Sequence, residues 1–94
     1  GIIAHNDLMA IGIMRGIQKA GGQIPQDKCV IGFDNIPAAA TTNPALTSVA
    51  APLRQLGSTA AQLLLDLLAG TADSDTRIVL PSKLIVREST TRHS

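Results

Sequence analysis

Aromatic side chains are almost missing from this sequence: Phe33 stands alone, with no Trp and no Tyr. Basic clusters are missing too, since the eight Lys and Arg are strung from Arg15 to Arg92 without a run, and the net charge is +1. A nucleic-acid face normally combines clustered basic residues with stacking aromatics, so this segment is not expected to touch DNA. The single cysteine, Cys29, excludes an internal disulfide and a thiolate metal cluster. No stretch approaches the roughly 18 uncharged apolar residues that a membrane span requires. Charge is scarce as well, 16% of residues against roughly 25% in an average soluble chain. With a hydrophobic fraction of 45%, disorder is excluded, because disordered segments pair low hydrophobicity with high charge. What remains is an aliphatic chain of 94 residues, enough for one small core. Its opening Gly1-Ile2-Ile3-Ala4 shows no Met, basic region or cleavage site of a secretory signal, and reads as the start of a strand in a longer chain.

The pattern of elements is that of an α/β unit. Residues 1–5 read as a short strand stopped by Asn6-Asp7, either of which can cap the helix expected over 8–20. On that helix Met9, Ile13, Ile17 and Ala20 share a face, which Ala10, Ile11 and Met14 widen beyond what one sheet contact needs. Gly21-Gly22 stops it, Ile24-Pro25-Gln26-Asp27 turns, and Cys29-Val30-Ile31-Gly32-Phe33 is a continuous apolar run typical of a buried parallel strand. Residues 35–47 form a loop with room for one helical turn, and 47–50 a short strand. Pro52 sits where a first-turn proline belongs. The helix expected over Leu53–Ala69 carries Leu53, Leu56, Ala60, Leu63, Leu64, Leu67 and Leu68 on one side, and Gly70 ends it. Residues 71–76 are a polar linker, 77–80 and 84–87 are strand-like, and the tail from Glu88 onward reads as frayed.

Two polar clusters close the first two strands: Asn6-Asp7 and Asp34-Asn35. If the strands are parallel neighbours, both clusters stand at the carboxyl edge of the sheet, where open α/β sheets bind ligands. Asp accepts from hydroxyls and Asn both donates and accepts, which suits a polyol or a polar heterocycle. The plainer alternative is a helix cap and a turn, both common at such junctions. Catalysis finds no support, since nucleophile-elbow, dinucleotide and phosphate-loop motifs are all missing. His5 and Cys29 have no metal-ligand spacing around them, so neither a metal nor any cofactor is expected, and Cys29 reads as an inert buried thiol.

Three stretches resemble the LacI/GalR family of bacterial transcription regulators. They are Ala4-His5-Asn6-Asp7-Leu8-Met9-Ala10-Ile11-Gly12, Ile24-Pro25-Gln26-Asp27 and Val30-Ile31-Gly32-Phe33-Asp34-Asn35-Ile36-Pro37. The likeness continues through Asn43-Pro44-Ala45-Leu46-Thr47-Ser48-Val49, Leu56-Gly57 and the Leu-rich helix, to Leu80-Pro81 and Leu84-Ile85-Val86-Arg87-Glu88-Ser89-Thr90. It implies a three-layer, parallel-sheet, periplasmic-binding-protein-like fold, of which this chain is a C-terminal portion. Residues 1–48 and about 77–90 would then belong to the C-terminal lobe, and the helix at about 52–70 to the N-terminal lobe. The DNA-binding headpiece would lie outside the segment.

The resemblance also implies roles. The family's cleft-lining Asn and Asp match Asn6 and Asp34, with Asn35 a further ligand candidate. Its subunits pair through the helix after the first motif and the loop after the second, which puts Leu8, Ile11, Arg15, Ala38, Thr41 and Thr42 at a homodimer interface. The implied protein is a cytoplasmic regulator, not an enzyme, whose small-molecule effector, a sugar or related metabolite, shifts operator binding. Departures are Ala51 where Gln often precedes the helix-opening proline, and an Ala38-Ala39-Ala40-Thr41-Thr42 loop without the usual aromatic. A periplasmic sugar-binding protein serving a transporter shares the fold and stands as the alternative. Separated from its neighbours, the segment would expose the Leu face of its second helix, and association or poor stability is expected of it.

Overall fold

The computed structural model describes residues 1–91. Its elements run β1 (Ile2–Ile3), α1 (Asp7–Lys19), β2 (Val30–Phe33), a 3-10 turn over Pro37–Ala40, β3 (Thr47–Ala50), α2 (Leu53–Ala69), β4 (Lys83–Ile85) and a second 3-10 turn over Glu88–Thr90. Two compact units result. One comprises Gly1–Ala51 and the described residues from Lys83 onward; the other is Pro52–Ser82.

The first unit is built on a four-stranded sheet in the order β1-β2-β3-β4. β1, β2 and β3 are mutually parallel, with Ile3 opposite Ile31 and Gly32 opposite Ser48. The sheet is mixed, not wholly parallel, because β4 runs antiparallel to β3 and pairs Lys83 with Ala50. The chain leaves the carboxyl end of β3 and rejoins at that same edge, so its last strand must run backwards. One helix, α1, covers one sheet face. The core there is Ala4, Ala10, Met14, Ile24, Val30, Ala39 and Leu46, flanked by Ile11, Ile13 and Ile17. Within this unit Ile3, Phe33 and Leu84, which the register puts on the opposite face, are exposed.

Helix α1 buries only part of the face that its apolar residues alone mark out: Ile13 and Ile17 pack against the core, but the ends of that face do not. Met9 is 54% exposed and Ala20 is exposed, while Asp7, Ala10 and Met14 are buried. The buried stripe runs 7-10-14, with Ile17 partly buried one turn on, which is helical spacing once a carboxylate is admitted to it. Gly21, at φ 91°, stops the helix, with its N–H donating to the Gln18 carbonyl and that of Gly22 to Ile17.

The C-terminal stretch is not frayed as far as Thr91. Ser89 is fully buried, and its hydroxyl donates to the Val30 carbonyl at 2.6 Å while accepting the Thr47 N–H at 2.8 Å. That one side chain bridges β2 and β3. Thr47 adds its hydroxyl to the Arg87 N–H at 2.7 Å. The far part of the tail, residues 92–94, lies outside the described residues.

The second unit contains α2, bounded as the sequence pattern indicates. Pro52 is the residue before the first turn, its carbonyl accepting from Leu56 N–H, and not a first-turn residue. Gly70 closes the helix in the left-handed region at φ 75°. No residue of α2 is buried, and Leu68 is 78% exposed. Residues 77–80 form no strand: Ile78 and Leu80 line a groove of about 150 Å³ with Leu56, Thr59, Ala60 and Leu63 of α2. A helix surface offers no ladder of N–H and C=O partners, so the β-branched run stays extended and unpaired.

Candidate functional site

Parallel pairing of β1, β2 and β3 brings the two polar clusters to one sheet edge. Asn6 follows β1 and Asp34 follows β2, both at carboxyl ends. Asn6 is the N-cap of α1: with extended backbone, its Oδ1 accepts the Met9 N–H at 2.9 Å. Cap and ligand roles do not compete, because capping uses only the oxygen. The Asn6 Nδ2 donates to no described residue, and the side chain is half-buried, able to offer an N–H to a ligand hydroxyl.

Asp34 and Asn35 form a turn with unusual backbone, φ 108° and 54° respectively. Consecutive non-glycine residues at positive φ cost about 1–3 kcal/mol each and persist only where surrounding structure over-determines them. Four hydrogen bonds do so here. The Asp34 N–H donates to the Val49 carbonyl at 2.9 Å, and the Asn35 N–H to Ser48 Oγ at 2.9 Å. The Ile36 N–H donates to Asp7 Oδ2 at 2.8 Å, and Arg87 Nη2 to Asn35 Oδ1 at 2.8 Å. The Asp34 carboxylate, by contrast, is exposed and takes no hydrogen bond from the described residues. An acceptor held out on a braced turn is suited to hydroxyl groups of a ligand.

Asp7, read with Asn6 as part of a polar cluster at the ligand edge or as a helix cap, is instead a buried bracing residue, a role that sequence reasoning missed. It is fully buried beneath the turn, where Oδ1 accepts from Ser48 Oγ at 2.6 Å and Oδ2 from Ile36 N–H. Gly32 makes room for it: a Cβ on Gly32 would overlap Asp7 Oδ1 and stand 3.1 Å from both Asp7 Cα and Leu46 Cδ2. The available signal was Gly32 itself, a glycine in the middle of an apolar strand, which marks close approach of another group. Every buried side-chain nitrogen and oxygen among the described residues has a partner.

Of the side chains expected at a subunit interface, Ile11, Arg15 and Thr42 line one groove. Leu8, Arg15, Ala38 and Thr41 are exposed, and Ile11 and Thr42 half-buried. Ile11, Met14, Arg15, Gln18, Thr42 and Asn43 line a groove of about 130 Å³, closed by Gln18 Nε2 donating to the Asn43 carbonyl at 2.8 Å. Cys29 is half-buried just ahead of β2, with its thiol 3.8 Å from the Pro25 carbonyl.

Comparison with known proteins agrees with this architecture. A family described as periplasmic binding protein-like domain matches residues 1–90. The lactose operon repressor of Rhizobium radiobacter is 40% identical over 93 residues, 99% of this chain and 81% of that protein. Other curated regulators are longer, and the chain spans only 26% or 27% of their length. A transcriptional regulator CelR–cellobiose complex superposes with a TM-score of 0.87 at 36% identity, over 93% of this chain and 27% of that one. The lac repressor dimer bound to operator and the anti-inducer ONPF superposes with a TM-score of 0.87 at 34% identity, over 94% of this chain and 26% of that one. With its fold, its ordered motifs and its relatives in agreement, the chain belongs to the LacI family of transcription regulators and is part of their periplasmic-binding-protein-like effector domain.

Proposed function

We propose that this chain is the segment of a LacI-type regulator that senses a small polar effector, a sugar or a related metabolite, and pairs subunits. Asn6 and Asp34 contact the effector, and Asn35, whose oxygen is held by Arg87, adds its remaining N–H groups or holds the turn. The observation that carries this reading is the unengaged Asp34 carboxylate on a braced turn at the same carboxyl sheet edge as the half-free amide of Asn6. A neighbour in complex with cellobiose supports the ligand class, and a neighbour that is a dimer on operator supports the assembly. Leu8, Ile11, Arg15, Ala38, Thr41 and Thr42 form the homodimer contact, and DNA is bound through another part of the full-length protein. The unit built on the β-sheet belongs to the C-terminal lobe and α2 to the N-terminal lobe. Curated relatives that are regulators and repressors favour this cytoplasmic role over that of a transport receptor.

The mechanism is a shift of population. Effector held by Asn6 and Asp34 stabilises the state in which it binds better, and the subunit interface passes that bias to the DNA-binding part. In the full-length protein, operator binding followed by fluorescence anisotropy tests it, with cellobiose and lactose as probes. Asp34→Ala should lose the sugar response and keep operator affinity. An Asp34→Ala protein that responds at unchanged sugar concentration would refute the site.

A further inference from the structure

Asp7 lies within the proposed site yet touches no ligand position, because it is fully buried. It is nevertheless the point at which the two ligand-bearing segments are joined. Asn6 is its chain neighbour at the start of α1. Asp34 is two residues before Ile36, whose N–H Asp7 Oδ2 accepts. The other carboxylate oxygen takes the hydroxyl of Ser48, and Ser48 Oγ in turn accepts the Asn35 N–H. A chain of contacts therefore runs from the α1 N-terminus through Asp7 and Ser48 into both residues that follow Asp34.

We infer that Asp7, acting through Ser48, is a positioning residue for effector binding: it fixes the Asp34 turn relative to Asn6, so that amide and carboxylate are presented at one spacing. This rests on the reading of Asn6 and Asp34 as effector contacts. Three observations carry it. The turn holds Asp34 and Asn35 at positive φ, a conformation they leave unless held. The holding groups are buried, where a hydrogen bond to a carboxylate is shielded from water and strong. Finally, Gly32 leaves the space that the carboxylate occupies, so the sheet is shaped around this contact. An apolar residue in place of Asp7 would leave the backbone N–H of Ile36 without its acceptor, so the turn depends on a carboxylate or its isostere at this position.

The test uses the full-length protein with Asp7→Asn, which keeps the shape and one acceptor oxygen, and Ser48→Ala, which removes the acceptor of the Asn35 N–H. Two readouts are taken: titration with cellobiose and with lactose, and amide hydrogen exchange. Asp7→Asn takes the charge from its two hydrogen bonds, and Ser48→Ala removes both the bond to Asp7 and the one from the Asn35 N–H. Sugar affinity weakened about tenfold or more is predicted in each variant, with operator affinity in the absence of sugar unchanged. Exchange should accelerate at Asn35 and Ile36 and stay at wild-type rates at Ile31 and Val49. A merely structural role would speed exchange across the sheet and leave the affinity of the folded protein unchanged.

Affinity within about twofold of wild type in both variants, with Asp34→Ala losing binding in parallel, overturns the positioning role alone. If Asp34→Ala binds sugar like the wild type, the site reading itself falls. If the wild type binds neither sugar, exchange decides the structural premise: acceleration confined to Asn35 and Ile36 supports Asp7 and Ser48 as the groups that hold the turn, and unchanged protection there overturns the positioning role.

Discussion

The two units of this chain are held by opposite means. Around the sheet, α1 buries Ala10 and Met14 over Val30 and Leu46, and polar side chains are buried with them: Asp7, Ser48, Thr47 and Ser89. Each of these is hydrogen-bonded, and each bond ties two segments distant in sequence, as Ser89 ties β2 to β3 and Asp7 ties α1 to the Asp34 turn. In the other unit α2 has a well-formed apolar stripe and no buried residue at all. Its own polar contacts are local, such as Gln62 Nε2 to Asp66 Oδ1 four residues on. Helix propensity and i,i+4 pairs define α2, whereas long-range buried polar bonds specify the geometry of the sheet unit. Only the second kind of bonding can hold two side chains from different segments at a fixed spacing, which is what a ligand site needs.

That contrast can be broken by substitution, and the same replacement should act with opposite sign in the two units. Gly32→Ala drives a methyl into Asp7 and Leu46, and overpacking together with a displaced buried carboxylate should cost about 3–4 kcal/mol in urea unfolding. A loss below about 1 kcal/mol would show that Asp7 is not fixed where it is described. Ser89→Ala strands the Thr47 N–H and the Val30 carbonyl and should cost about 2 kcal/mol, measured the same way. In α2, Gly57→Ala meets nothing within 4 Å; it should stabilise by about 0.5–1 kcal/mol, seen as increased helicity on thermal melting. Smallest of all, Leu68→Gln in the 94-residue chain should change stability by less than about 0.5 kcal/mol while weakening self-association in sedimentation. A loss of about 2 kcal/mol there would mean that this leucine is covered.

How much of this was legible in the sequence follows the same division. Helix α2 was read to its observed ends because proline, an apolar period and glycine are local signals. Strands β2 and β3 and the shared edge of Asn6 and Asp34 were also readable, from an apolar run and the rule for parallel sheets. Hydropathy failed wherever a polar residue is buried. An apolar projection of α1 centred the buried face toward Met9 because it could not count Asp7 as an inward residue. Ser89 misled in the same way, since a tail of Glu, Ser and Thr looks solvated until its hydroxyl is seen bridging two strands. For Arg77-Ile78-Val79-Leu80 the composition was that of a strand, but the neighbour is a helix, with Val79 84% exposed. Strand propensity is expressed only where a partner edge exists.

The central claim is that a polar effector is held between the amide of Asn6 and the carboxylate of Asp34. The most direct measurement is a crystal structure of the full-length protein with the sugar that alters its operator binding. The account predicts sugar hydroxyls about 2.6–3.2 Å from Asn6 Nδ2 and from the Asp34 carboxylate, with the Asp7–Ser48–Ile36 bonds intact beneath. A sugar ordered elsewhere, touching neither side chain, would contradict it.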